Sequence, residues 1–317
     1  MYLCYLLTFI RNGFLSASKM FKEDDLEVDC SGRHYMITGA NSGIGKCIAT
    51  EIAKRGGTVH MVCRNPSSAE EAKQDIIDAS NNSNIFVHIL DLSKPRDVHK
   101  FAQDFCKNNE SLHVLVNNAG CMFNIRELTE DNLEKNFVTN TLGTYILTTQ
   151  LLPLIKQSEK PRVVTVSSGG MLVQKLDYTD MQFEKMKPFD GTLAYAQNKR
   201  QQVWLTYFFI FPLHLSSSYT VLHFTCVSPG WADILLFAPM PDFYSKLKDK
   251  LRTPDEGADT AVWLAVSPAA VQHPAGLFFQ DRNPAPTHLP LASTKVTTKE
   301  KEEFMTALEE LSKKFAG

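Results

Sequence analysis

From residue 33 onward, short runs of β-branched and apolar residues alternate with longer stretches whose apolar positions recur every three to four residues. The runs fall at 34–37, 58–62, 85–90, 114–116, 163–166 and 221–227. Between them, Ile44, Ile48 and Ile52 mark one helix face, and Leu142, Ile146 and Leu147 mark a later one. Strands alternating with helices predict right-handed βαβ units and a parallel sheet covered on both faces. The expected fold class is therefore α/β, a doubly wound parallel sheet.

No composition break or Gly/Ser linker divides residues 33–280, so a single domain is expected there. Its flanks read differently. Residues 1–32 form an N-terminal extension that opens on an apolar run at 2–10, closed by Arg11. That run is too short to cross a bilayer alone and lacks the basic n-region of a secretory signal. A helix packed on the protein or lying on a membrane face is expected instead, with residues 1–10 as the peripheral membrane contact. The expected location is intracellular, either cytoplasmic or peripherally membrane-associated. Residues 281–317 form a C-terminal arm and helix. Pro284, Pro286 and Pro290 give an extended arm, and Phe304, Leu308, Leu311 and Phe315 predict a terminal amphipathic helix. That helix either docks on the core or meets another subunit.

Composition narrows the function. The 317 residues are 44% apolar and carry 33 basic against 35 acidic side chains, a formal net charge of −2. This balance offers no basic field for nucleic acid. Seven cysteines without a C-x-x-C pair argue against a disulfide framework. Nine histidines are scattered singly, with no zinc-type spacing, so no metal is expected. No GxSxG elbow surrounds any serine, which sets aside an α/β-hydrolase.

The chemistry begins after the first strand, where Thr38-Gly39-Ala40-Asn41-Ser42-Gly43-Ile44-Gly45 leads into a helix. Glycines there permit a tight turn and bring backbone N–H groups to a pyrophosphate, beside the positive end of a helix dipole. A Walker loop fails on spacing: Ala40 stands where its first glycine belongs, and Cys47 replaces its Ser/Thr. At the end of the second strand, Cys63-Arg64 stands where an NAD-binding acid would sit. Arg64 can pair with a 2′-phosphate, so NADP(H) is favoured over NAD(H). The sheet is thereby expected to be of the Rossmann type.

Five motifs in order now resemble the short-chain dehydrogenase/reductase family across about residues 33–280. They are Thr38-Gly39-x3-Gly43-x-Gly45, Asn117-Asn118-Ala119-Gly120, Val166-Ser167-Ser168, Tyr195-x3-Lys199 and Pro229-Gly230. Segments such as Ala194-Tyr195-Ala196-Gln197-Asn198-Lys199-Arg200-Gln201-Gln202 and Phe278-Phe279-Gln280-Asp281-Arg282 carry a narrower likeness to its retinol-dehydrogenase-like branch. The resemblance implies a cofactor site that includes Gly39, Asn41, Ser42, Gly43, Ile44, Gly45, Arg64, Asp91, Leu92, Asn118, Ala119, Gly120, Tyr195, Lys199, Pro229 and Gly230. Within it, Asp91-Leu92 would receive adenine. The implied catalytic residues are Ser168, Tyr195, Lys199 and Asn140, the last steadying a water near the lysine.

Residues four apart share a helix face, so Tyr195 and Lys199 can act together. A lysine ammonium favours the phenolate, and Tyr195 can then exchange a proton with an alcohol or carbonyl oxygen as hydride moves. Ser168 would hold that same oxygen, which makes it the substrate-binding residue. A second YxxxK, Tyr244/Lys248, has no Ser-Ser partner and reads as a surface coincidence.

Two regions depart from the family pattern. The helix of Lys199 should continue half-polar, yet residues 203–213 are nearly all apolar. A homo-oligomer contact is the preferred cover for so apolar a stretch. After Pro229-Gly230, Ile234 occupies the place where closer relatives would have Thr, and Leu235, Leu236, Phe237, Met240 and Phe243 suggest an apolar substrate. The expected function is an NADP(H)-dependent oxidoreductase acting on a small alcohol or carbonyl. A nucleotide-binding protein of this fold with little turnover is the alternative.

Overall fold

The computed structural model describes residues 7–210, 222–234, 236, 240–289 and 292–316. Six parallel strands follow the predicted runs closely: β1 His34–Thr38, β2 Thr58–Cys63, β3 Ile85–Ile89, β4 Val114–Asn117, β5 Arg162–Val166 and β6 His223–Val227. A seventh parallel strand, β7 Phe278–Gln280, and an antiparallel one, β8 Asn283–Pro284, extend one edge. The strand order is β3-β2-β1-β4-β5-β6-β7-β8. It reverses direction of travel between β1 and β4, and the crevice beyond the carboxyl ends of those strands is where such sheets bind ligands.

Helices cover both faces. On one lie α2 Gly43–Lys54, α3 Pro66–Ser80 and α8 Pro254–Val266, burying Ile44, Ile48, Ile52, Ile76 and Trp263 with the strands. On the other lie α4 Pro95–Asn108, α5 Gly143–Gln157, α6 Gly191–Ile210 and the terminal α9 Thr298–Lys313. Their shared core holds Phe137, Ile146, Leu151, Trp204 and Phe224. The inner strands β1, β2, β4, β5 and β6 are buried on both faces, which is why they read as unbroken apolar runs rather than alternations.

The terminal helix docks on the core: Phe304, Met305, Leu308 and Phe315 are buried in it. A capping box fixes its start, Thr297 accepting from the Glu300 N–H and Glu300 accepting from the Thr297 N–H. The apolar stretch after Lys199 is likewise covered within the chain where it is described. Val203, Trp204, Leu205 and Phe209 are buried, and Phe209 stacks on Phe224 at 5.1 Å. Residues 196–206 of this helix are all buried, and Lys301 of α9 lies over the Trp204 and Tyr207 rings. Residues 211–213 and the side chains of Phe208 and Ile210 lie outside the description.

At the N-terminus, residues 1–6 also lie outside the description, and residues 7–10 pack on the protein ahead of a short helix, α1 Arg11–Ser18. Phe9 is buried against Met171, Leu172, Val203 and Phe278 and stacks on Trp231 at 5.7 Å. Among the described residues no helix is long and apolar enough to cross a membrane.

Scattered along the chain, four of the histidines meet across the sheet. Met36 pairs with His60 and Val62 with His88, so His34, His60 and His88 fall on one face, each two residues further along its strand. His34 Nδ1 lies 3.1 Å from His60 Nε2, and His60 Nδ1 lies 3.0 Å from His88 Nε2. The His34 backbone N–H donates to His113 Nδ1 at 3.0 Å. They bond to one another rather than converge, and no group of described residues is arranged to hold a metal ion.

Candidate active site

A cavity of about 1180 Å³ opens beyond the carboxyl ends of the strands. The glycine turn contributes Gly39, Asn41, Ser42, Gly43, Ile44 and Gly45 to its wall. Arg64 comes from the end of β2, Asp91 and Leu92 from the end of β3, and Asn118, Ala119 and Gly120 from the end of β4. Ser168 follows β5, Tyr195 and Lys199 lie on α6, and Pro229 and Gly230 follow β6. Of the residues expected in the site, Asn140 alone is off the wall; it is fully buried one layer behind.

The glycine turn is built for close approach. Gly39 has φ +67°, open to glycine but costly for other residues. A Cβ on Gly45 would lie 2.3 Å from the Gly39 carbonyl oxygen and 2.4 Å from Asn118 Nδ2. Ser42 ends the turn in extended geometry, and the first intrahelical bond of α2 runs from the Lys46 N–H to the Ser42 carbonyl at 3.2 Å. The N–H groups of Gly43, Ile44 and Gly45 precede it and face the anion position of a helix N-terminus. Asn118 locks this turn from β4, its Nδ2 donating to the Thr38 carbonyl at 2.9 Å. Thr38 Oγ1 accepts from the N–H groups of Asn118 and Ala119 at 3.0 and 2.9 Å. Asn117 points the other way, donating to Thr148 Oγ1 on α5 at 2.9 Å.

These features fit a dinucleotide: a cradle too tight for side chains, free N–H groups for a pyrophosphate, and a cation at the ribose end. That cation is Arg64, which is exposed and has no carboxylate partner among the described residues. Lys46, the would-be Walker lysine, is drawn away to Asp75 at 2.5 Å.

Tyr195 and Lys199 stack along α6, with the Lys199 ammonium 5.4 Å from the centre of the Tyr195 ring. Lys199 is buried, and Nζ donates to the Val166 carbonyl at 2.8 Å and to Gln202 Oε1 at 3.0 Å. Burial pulls its pKa down to about 8, against the opposing pull of the Cys226 and Cys121 thiols. Burial pushes the Tyr195 hydroxyl above its ordinary range, and the neighbouring Cys121 adds to this. At neutral pH the pair is a protonated phenol beside a cationic lysine. Ser168 lines the cavity and also caps the short turn Gly169–Val173, its Oγ accepting from the Gly170 N–H at 3.2 Å. Its own hydroxyl proton stays available to an oxygen in the cavity.

Asn140 sits in a π-type turn, Val138–Leu142, that leads into α5. Its Oδ1 accepts from the Cys121 N–H at 2.8 Å, and its Nδ2 donates to the Cys121 carbonyl and to Asn198 Oδ1 at 2.9 and 3.1 Å. Such π turns widen a helix by one residue and recur at functional sites.

The structure also supplies residues that the sequence reading missed. Tyr244, read as a surface coincidence, lines the cavity from α7, Pro241–Leu247, and the nearby Asp233 carboxylate raises its pKa. Met122, Phe123 and Trp231 join it in an apolar wall. Leu236 and Met240, which the sequence marked as pointing to an apolar substrate, line the same wall. Leu235 and Phe237, and the side chain of Phe243, lie outside the description. Ile234 bears on the cofactor turn instead: its Cγ2 would lie 3.0 Å from a Cβ on Gly43.

Comparison with known proteins agrees with this geometry. Residues 33–178 match the family model for short chain dehydrogenase. The chain is 56% identical to Dehydrogenase/reductase SDR family member 12 from Bos taurus, over 97% of this chain and 95% of that one. Its human counterpart is 53% identical over the same shares. Retinol dehydrogenase 11 from Mus musculus is 32% identical, over 80% and 79% of the two chains. Among solved structures, an uncharacterized protein from Mycobacterium paratuberculosis superposes with a TM-score of 0.72 at 26% identity, covering 91% of this chain and 97% of that one. A short chain dehydrogenase from Escherichia coli CFT073, complexed with NADPH, gives 0.65 at 22% identity, covering 83% and 100%. With the glycine turn and the Ser-Tyr-Lys cluster set on one sheet, and a relative 56% identical over 95% of its own length, the chain belongs to the short-chain dehydrogenase/reductase family.

Proposed function

We propose that this chain is an NADP(H)-dependent oxidoreductase that interconverts an alcohol and a carbonyl on a small apolar substrate. The observation that carries the reading is the convergence of Ser168, Tyr195 and Lys199 on the cavity that also holds the glycine turn and Arg64. The nicotinamide cofactor supplies the hydride when bound, held by the turn at its pyrophosphate, by Arg64 at its 2′-phosphate and by Lys199 at its ribose. Ser168 donates to the substrate oxygen and fixes it beside the Tyr195 hydroxyl. Tyr195, protonated at neutral pH, gives its proton to a carbonyl oxygen in reduction and recovers one from an alcohol in oxidation. Lys199 holds its positive charge beside the ring and stabilises the phenolate left behind. The apolar wall of Met122, Phe123, Leu236 and Met240 excludes water and favours an apolar substrate.

Titration with NADPH and NADH, followed by nucleotide fluorescence, tests cofactor binding. Turnover with a panel of aliphatic aldehydes, steroids and retinal tests the chemistry. NADPH binding without turnover on any member of the panel would favour the alternative, a nucleotide-binding protein of this fold. The close packing of Ile234 on the turn is the observation behind that alternative. A homo-oligomer contact and a peripheral membrane contact through residues 1–10 belong to the same proposal. Exposed Leu7 supports the membrane contact, and light scattering with vesicle sedimentation tests both.

A further inference from the structure

Gln202 lies three residues beyond Lys199 on α6 and is fully buried. Its side-chain amide is held at both ends. Oε1 accepts from Lys199 Nζ at 3.0 Å, and Nε2 donates to the Asn140 backbone carbonyl at 2.7 Å. An ammonium only donates and a carbonyl only accepts, so the amide has one allowed orientation; flipped, it would set NH2 against NH3+ and oxygen against oxygen. The acceptor's own residue is anchored by its side chain: Asn140 is tied to Cys121 and Asn198, and Asn198 in turn donates to Gln201 Oε1 at 3.2 Å.

This is the place where the sequence reading put a water. A water between lysine and the Asn140 carbonyl would accept one proton and release another. A carboxamide accepts at oxygen and donates at nitrogen, and passes no proton between them without tautomerising. Lys199 has three N–H donors. One goes to the Val166 carbonyl, one to Gln202, and the third is left for the cleft, where Gly120 leaves room: a Cβ there would sit 3.4 Å from Nζ.

We infer that Gln202 is a positioning residue for the proton-transfer pair: its amide replaces a water between Lys199 and Asn140, aims Nζ at the cleft, and closes the inner path for proton exchange. The inference rests on the proposed reading of Tyr195 and Lys199. Protons then reach and leave the pair only through the mouth of the cavity. The titratable groups facing Lys199 are Tyr195 on its own helix, Cys121 after β4 and Cys226 on β6. No carboxylate pairs with it among the described residues, so a charge introduced at position 202 has no competitor.

The test is the titration of Lys199 itself, read by NMR in protein carrying 13C-labelled lysine and assigned through Lys199→Arg. Gln202→Glu keeps the length of the side chain and sets a negative charge beside the ammonium. The Lys199 midpoint should rise by about one pH unit or more, while Gln202→Leu should lower it. Identical midpoints in wild type and both variants would overturn the inference. Where Gln202→Leu fails to fold, the near-isosteric Glu variant carries the test alone. In a crystal structure of Gln202→Ala, an ordered water bridging Lys199 Nζ and the Asn140 carbonyl is expected; a collapsed or dry site would overturn the replacement of water. Failure of the underlying reading shows elsewhere, as unchanged turnover in Tyr195→Phe, and leaves the NMR result for Gln202 standing.

Discussion

Arg252 and Asp281 form a bidentate ion pair in the interior, Nη1 to Oδ1 at 2.6 Å and Nη2 to Oδ2 at 3.0 Å, with the arginine only 1% exposed. The same guanidinium donates to the Thr8 carbonyl at 2.6 Å, and it fills the space where a Cβ on Gly230 would lie 2.4 Å from its Nε. The backbone of Arg252 bonds Trp231 and Asp233. One side chain therefore ties the N-terminal segment, the Pro229-Gly230 turn and the end of β7 to the wall of the cavity.

Removing one partner of a buried pair leaves the other charged and unpaired. Arg252→Ala should therefore cost about 3–5 kcal/mol in urea unfolding. Replacing both partners, with Arg252→Met and Asp281→Leu together, should cost much less. A double variant as unstable as the single one would show that the bonds to Thr8 and the Gly230 turn, rather than the ion pair, hold this region.

Cofactor preference follows from Arg64. Arg64→Ala should weaken NADPH binding roughly 10- to 100-fold, the loss of one charge-assisted pair, and leave NADH binding nearly unchanged. Fluorescence titration reads both. Equal losses for the two nucleotides would remove the 2′-phosphate argument.

The two tyrosines of the cavity should separate by function. Tyr195→Phe should keep NADPH affinity and cut turnover about 10²- to 10⁴-fold, since geometry stays and the proton donor goes. Tyr244→Phe, which removes only a hydroxyl from the cavity wall, should shift KM by a few-fold at constant kcat. Exchanged outcomes would assign the chemistry to the wrong tyrosine.

Stability should fall on acidification from pH 7. Burial holds His60 down to about 3 and His113 and His223 to about 4, from 6.5; His34 and His88 are lowered too. Above pH 6.5 these imidazoles are neutral in both states and their contribution is complete. As pH falls below 6.5, the unfolded chain takes up protons that the folded chain refuses, so stability is lost progressively toward the folded values. Each withheld proton adds a slope of about 1.4 kcal/mol per pH unit. Urea unfolding at pH 7.5, 6.5 and 5.5 should show the decline, and His60→Leu should reduce its slope. A flat profile over that range would mean the histidine row opens to solvent.

Much of the site was legible in the sequence because its chemistry is local. The glycine turn, the strand ends and the Tyr195–Lys199 spacing each depend on residues within one turn or one helix face. The apolar runs marked the strands because a parallel sheet buries both of its faces, and no other environment asks for such runs between helices. Local spacing also misled. Tyr244 shares the YxxxK pattern and lines the cavity from α7, a placement that spacing along the chain does not encode.

What only the tertiary structure decided are the contacts between distant segments. Gln202 is an ordinary helix residue until a π turn some sixty positions earlier presents the Asn140 carbonyl to its amide. The histidines become a row only because strand register places residues 34, 60 and 88 on one face. Arg252 finds Asp281 and Thr8 through the winding of the chain around the sheet. Propensity and periodicity act over a few residues, whereas a buried polar side chain is placed by whichever remote backbone or charge satisfies it in the folded chain, and that partner is chosen by packing.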